Sequence, residues 1–239
     1  MALETVVEGL VWVAPADTQP RTARMTIVRL PSGTLWVHAP VAPSAELRRA
    51  LAELGRVQFV VVPSNRRYGA ARSFFDAYPR SELFVAPEVP AYDGALAFGS
   101  VLGERAPDGW AGEIEQLSIA GHRTLDEVVF FHRPSRTLVV SDLLGPDRRH
   151  LSLPWRGGQT GAPASPRPLS FRDEAAARTA IHRVLGWDFE RIARTRGAPV
   201  REEAKRTLRN AYARLFDGDT AARRPELTDA PLAHAYDAK

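Results

Sequence analysis

The sequence predicts an α/β fold, and three observations predict it: short β-branched or wholly apolar runs of strand length, amphipathic stretches of helical spacing placed between and after them, and turn residues that separate one from the next. The strands fall into two groups. Helices lie among the first group and after the second, which reads as two sheets, each covered by helices on its outer side. That is a four-layer αββα sandwich. Periodicity alone is met nearly as well by a doubly wound sheet.

Residues 5–13 and 24–30 carry the β-branched content and partial alternation of half-buried strands. Pro31-Ser32-Gly33 turns the chain into residues 34–38, so the second and third runs form a hairpin. Ser44 is a capping residue ahead of Leu47, Ala50, Leu51 and Leu54, whose spacing puts them on one helical face, and Gly55 is the stop. Residues 57–62 are almost continuously apolar, the mark of a strand covered on both faces. A helix with Ala71, Phe74, Phe75 and Tyr78 on one side follows and ends at Pro79, and residues 82–86 form the next strand.

Residues 91–111 read as a loose connection. Three strands follow at 113–119, 127–131 and 137–141, the last two joined by the turn His132-Arg133-Pro134-Ser135-Arg136. Residues 145–170 are rich in proline and glycine and read as a long loop, of the kind that serves as a lid or an insert. Ser170 with Asp173 has the spacing of a capping box before a helix with Ala177, Ile181, Val184 and Leu185 inside. A last helix buries Ala204, Leu208, Ala211, Tyr212 and Leu215. Residues 1–216 are expected to form one domain and 217–239 a polar tail.

Composition removes several classes of function. The chain has no cysteine, which excludes disulfides, thiolate metal sites and cysteine nucleophiles. No apolar run is long enough for a transmembrane helix, and residues 1–9 carry Glu4 and Glu8 without a positive cluster, unlike a signal peptide. The expected compartment is therefore the cytoplasm, with no membrane partner. A net charge of +4 and a pI near 9.8 raise nucleic acid as a partner. Yet Lys205 and Lys239 are the only lysines, and pairs such as Arg48-Arg49, Arg66-Arg67 and Arg148-Arg149 are scattered. That pattern is compositional bias toward arginine rather than a phosphate-binding stripe. No Gly-x-Ser-x-Gly elbow is present, and residues 157–161 lack the lysine and spacing of a phosphate loop.

Three segments carry a family resemblance. The first is Gly33-Thr34-Leu35-Trp36-Val37-His38-Ala39-Pro40-Val41, with the helix and strand that lead to Val62-Pro63. The second, the most specific, is Glu127-Val128-Val129-Phe130-Phe131-His132-Arg133-Pro134-Ser135-Arg136-Thr137-Leu138-Val139-Val140-Ser141-Asp142. The third is Trp187-Asp188-Phe189-Glu190-Arg191-Ile192, continuing through Gly197 and Pro199. Together they resemble a bacterial branch of the metallo-β-lactamase-like superfamily and favour its four-layer fold. The resemblance implies one or two metal ions at the mouth between the sheets, held by loop histidines, a bridging aspartate and a late histidine.

At those positions this chain departs from the family pattern. The histidine pair falls on Arg67 and Tyr68, and the late histidine falls on Arg196. Asp142 matches the bridging aspartate and remains as the candidate catalytic residue, or as the partner of an arginine. A guanidinium does not deprotonate and cannot ligate an ion. Arg67 and Arg196 instead suit an anionic small ligand, gripped through bidentate hydrogen bonds. Asn65, Tyr68 and His38 complete the candidate ligand-binding set, with packing as the competing role of Tyr68 and His38. No His-x-His or His-Glu-x-x-His spacing occurs, and no cofactor is expected. The alternative is a metal-dependent hydrolase with relocated ligands, in which Asp142, His38, His132 and His122 assemble around a divalent ion such as zinc and act on an ester, amide or phosphoester.

Overall fold

Gly9, at φ +69°, folds the first predicted strand back on itself: Leu10 N–H donates to the Val7 carbonyl at 3.1 Å. Residues 5–13 are therefore not one strand but parts of two, β1 (Glu4–Val7) and β2 (Val11–Pro15), paired antiparallel. The structure, a computed structural model, describes residues 3–16, 23–92, 94–96, 99–119, 127–144 and 171–216. The 145–170 loop, the 217–239 tail, His122 and Ser170 lie outside the described residues.

The Pro31-Ser32-Gly33 hairpin forms as the sequence predicts, between β3 (Arg24–Arg29) and β4 (Leu35–His38), with Gly33 at φ +77°. Helix α1 (Ala45–Leu54) is capped by Ser44, whose hydroxyl accepts the Leu47 N–H, and Gly55 closes it with an N–H to the Leu51 carbonyl. A Cβ on Gly55 would stand 2.3 Å from the Gly33 carbonyl oxygen, so this stop is also a close crossing of two backbones. β5 (Val57–Val62), α2 (Ala71–Ala77) and β6 (Glu82–Val85) follow as expected. The stretch read as loose holds a short helix α3 (Val89–Tyr92), a 3-10 turn at Gly94–Leu96 and the two-residue β7 (Ser100–Val101). Elements this short carry no periodicity that a sequence reading can detect.

The second group comprises β8 (Ile114–Ile119), β9 (Glu127–His132), β10 (Thr137–Val140) and β11 (Arg191–Arg194). β11 is an addition, since RIAR has neither apolar run nor clear alternation of polarity. It earns strand form by pairing parallel to β10, Thr137 opposite Arg191 through Val140 opposite Arg194. Helix α4 (Glu174–Gly186) is the crossover that such a parallel pair needs. Its N-cap is Asp173, whose side chain accepts the Ala176 N–H. The last predicted helix breaks at Tyr212 into α5 (Ala204–Ala211) and α6 (Ala213–Phe216). No helix among the described residues is long and apolar enough to cross a membrane.

The strand order is β1-β2-β3-β4-β5-β6-β7 in one sheet and β11-β10-β9-β8 in the other. Alternation along the second sheet sorts its side chains into two layers. Val128, Phe130, Val139 and Ala193 pack with the first sheet, while Val129, Phe131, Leu138, Val140 and Ile192 pack under α4 and α5. Leu47, Leu51 and Phe74 of α1 and α2 close the outer face of the first sheet. The four-layer reading is thus the observed one, and the doubly wound alternative is not. At one end the sheets are stitched together: Val128 N–H donates to the Pro63 carbonyl at 2.9 Å, and Arg24 N–H to the Thr195 carbonyl at 2.9 Å. The C-terminal ends of β4, β5, β10 and β11 all point to that end, and the candidate residues gather there.

Candidate functional site

β10 delivers Ser141 and Asp142 to the mouth, and three buried side chains hold the backbone there. The carboxylate of Glu127, 0% exposed at the start of β9, accepts the N–H of Ser141 through one oxygen and that of Asp142, at 2.9 Å, through the other. Thr195 Oγ1 donates to the Ser141 carbonyl at 2.9 Å. Tyr212 donates its hydroxyl to the Leu143 carbonyl at 2.7 Å, at the break between α5 and α6. With three consecutive residues tied in this way, the direction of the Asp142 side chain follows from the scaffold.

A turn after β5 brings Arg67 to the same place, its N–H bonded to the Ser64 carbonyl at 3.1 Å. Its guanidinium meets Asp142 fork to fork: Nε donates to Oδ2 at 3.0 Å and Nη2 to Oδ1. Both side chains are nearly buried, at 11% and 9% exposure. Arg196, just past β11, sets Nε 3.5 Å from Oδ1 of the same carboxylate but stays 43% exposed. Residues 67, 142 and 196 therefore converge, with two cations on one anion.

His38 ends β4 wholly buried, its ring 5.7 Å from that of Trp36 and 5.6 Å from that of Phe130. Neither ring nitrogen has a partner. Burial, and then the neighbouring Arg67 charge, lower its pKa to about 3, so it is neutral at physiological pH. Asn65 stands in the Arg67 turn with a buried, unpartnered Oδ1. Tyr68 packs against the core of the first sheet.

His132 is elsewhere. The register sets it opposite Thr137, where β10 begins, whereas Asp142 follows the end of β10. These two cannot share an ion, so the set of Asp142, His38 and His132 is not assembled. The physical reason is direction: β9 and β10 are antiparallel, and the turn that carries His132 lies at the far end of the sandwich.

Glu127 is the member that sequence reasoning missed. Burial, and then repulsion from Asp142, raise its pKa to about 7. The available signal was an acidic residue heading an otherwise apolar run, Glu127-Val128-Val129-Phe130-Phe131. Tyr212, held well above the ordinary phenol range by burial and by Glu127, was read only as a packing residue.

A catalytic metal does not fit the described residues around Asp142. Among the described residues no three His, Cys, Asp or Glu side chains are grouped to hold an ion. Both oxygens of Asp142 are engaged by Arg67, which has no lone pair to offer a cation. A dication placed at Asp142 would also meet two guanidinium charges.

The family model described as "Domain of unknown function (DUF4336)" matches residues 20–146, more than half of the chain. The chain belongs to the DUF4336 family. The DUF4336 match contains Arg67, Glu127 and Asp142 and ends before Arg196. No protein of curated function matches the chain. Solved structures give the fold. A metallo-beta-lactamase from Pontibacter korlensis superposes with a TM-score of 0.62 over 90% of this chain and 100% of its own, at 14% identity. One from Hirschia baltica gives 0.60 over 88% and 96%, at 10% identity. FIM-1 from Pseudomonas aeruginosa, in its mono-zinc form, gives 0.59 over 90% and 96%, also at 10% identity. This DUF4336 chain therefore has the metallo-β-lactamase fold. Identity this low speaks for the scaffold and not for the chemistry.

Proposed function

We propose that this protein binds a small anionic molecule at the mouth of a metallo-β-lactamase fold whose catalytic metal site has been lost. The observation that carries the reading is the bidentate hold of Arg67 on Asp142 with Arg196 beside it. An ion pair now stands where a carboxylate would have gripped a cation, and one guanidinium is in surplus. Arg67 neutralises Asp142, and Arg196 approaches the same carboxylate only at 3.5 Å and stays 43% exposed, open to a further anion. A carboxylate or phosphate suits this arginine, because the planar guanidinium matches two oxygens at once. Asn65 adds a polar edge from the Arg67 turn. The buried His38 and the packed Tyr68 contribute shape more than contact.

The test is calorimetric titration of the protein with inorganic phosphate and with succinate at low ionic strength. Saturable binding that weakens at least about tenfold in Arg196→Ala, with the fold intact, supports the reading. Elemental analysis of protein purified without chelator decides the competing one. Near-stoichiometric zinc, iron or manganese that disappears in Asp142→Asn would overturn the arginine site in favour of a relocated metal-dependent hydrolase.

A further inference from the structure

The end of the sandwich opposite Asp142 has chemistry of its own. A cavity of about 320 Å³ opens there between the β1–β2, β3–β4 and β9–β10 turns. Leu10, Leu30 and Pro134 provide apolar wall, and Arg29, Glu113 and His132 border the same space. That volume is at the size where small-molecule sites begin, about 300 Å³.

A short hydrogen-bond chain settles which nitrogen of His132 carries the proton. Thr137 Oγ1 donates to the Ser135 carbonyl at 3.1 Å, and Ser135 Oγ donates to Thr137 Oγ1 at 2.9 Å. Ser135 has then spent its only hydrogen, so its contact with His132 Nδ1 at 2.7 Å is one that it accepts. The proton sits on Nδ1, and Nε2 is left as a bare acceptor. That atom is buried without a partner, in a side chain only 1% exposed. Burial also holds the ring neutral, with its pKa lowered to about 4. An orphaned acceptor in such a place is unfavourable.

The rim is charged on both signs. Arg29 and Glu113 line one cavity, yet among the described residues neither side chain has an ion pair or hydrogen bond, with each other or with a third group. An anion alone would meet the Glu113 carboxylate, a cation alone the Arg29 guanidinium, and a neutral molecule would leave both unanswered. A molecule with both charges answers both.

We propose that this cavity is a second ligand site, for a small zwitterion with an aliphatic body, of the type of an aliphatic α-amino acid. Its carboxylate meets Arg29, its ammonium donates to Glu113, and its side chain lies along Leu10, Leu30 and Pro134, with the neutral His132 ring buried behind them. The site is independent of the arginine cluster, since it lies at the other end of β9 and β10.

Calorimetry and thermal shift with L-leucine test it, alongside isopentylamine, which keeps only the cation, and 4-methylpentanoate, which keeps only the anion. Leucine is expected to bind in the range of about 1 mM or tighter, and each analogue at least about tenfold more weakly. Arg29→Gln and Glu113→Gln, both at the rim, should each remove leucine binding while melting as the parent does. Arg196→Ala should leave leucine binding unchanged, which separates this site from the one proposed above. Absence of saturable leucine binding, equal binding of an analogue, or insensitivity to both rim substitutions would overturn the proposal.

Discussion

The guanidinium of Arg67 occupies both carboxylate oxygens of Asp142 across 75 residues of sequence, in a setting where each side chain is about nine-tenths buried. A pair of this kind gives little net stability relative to apolar residues of the same shape, but losing one member strands the other. Arg67→Ala should cost about 3 kcal/mol in urea unfolding, because Arg196 at 3.5 Å replaces only part of what Arg67 supplied. Arg67→Lys should fall between, since an ammonium cannot grip two oxygens in one plane. The double variant Arg67→Ala/Asp142→Ala should be more stable than Arg67→Ala alone. If it is less stable, the stranded carboxylate is not the cause.

Arg196 stands in contrast to Arg67. At 43% exposure its ion pair is screened, so Arg196→Ala should shift stability by less than about 1 kcal/mol. The same change should have its main effect on phosphate binding, and that binding should fall steeply with added salt. A large loss of stability with intact phosphate affinity would reverse the division of labour between the two arginines.

Glu127 makes a pH prediction. Its pKa rises from an ordinary 4.5 to about 7 in the fold, so the folded state holds this proton more tightly than the unfolded chain does. Its stabilising contribution is complete below pH 4.5, fades as pH climbs to 7, and is gone above, a change of about 3 kcal/mol. Glu127→Gln should remove that slope between pH 5 and 7 in unfolding experiments. It should also cost about 1–2 kcal/mol near pH 5, because the amide NH2 must face one of the two backbone N–H groups that Glu127 accepts.

The two buried histidines act in the opposite sense. With pKa values lowered to about 3 for His38 and about 4 for His132, both fold as neutral rings and favour the folded state above pH 6.5. That contribution is lost as pH falls from 6.5 toward those values. His38→Phe should therefore shift acid unfolding to lower pH. It should also raise stability near pH 7, because His38 lies among the rings of Trp36 and Phe130 with neither nitrogen bonded. A marked loss of stability in this variant would mean that those nitrogens are engaged after all.

The legible parts of this protein are those whose physics is local. Ser44, Gly33 and Gly55 announce a cap, a turn and a stop through their own backbone chemistry, and all three hold in the structure. The apolar run Val57–Val62 needs two covered faces wherever it is placed. Illegible were β7, two residues long, and β11, whose RIAR sequence becomes a strand only because β10 offers it a ladder. Asp173 caps α4 through its own carboxylate, again a local property of the residue type.

At the site, the resemblance gave the expectation that Arg67 and Arg196 fall at metal-ligand positions, and residue chemistry adds that a guanidinium cannot ligate an ion in any fold. Neither could say that Arg67 rather than Arg196 would seize both oxygens, that Glu127 would clamp the backbone beneath Asp142, or that antiparallel pairing would carry His132 to the opposite end. Those outcomes depend on which groups reach one another and how much water remains around them. Distance and desolvation are properties of the assembled sheets, and no stretch of chain carries them alone.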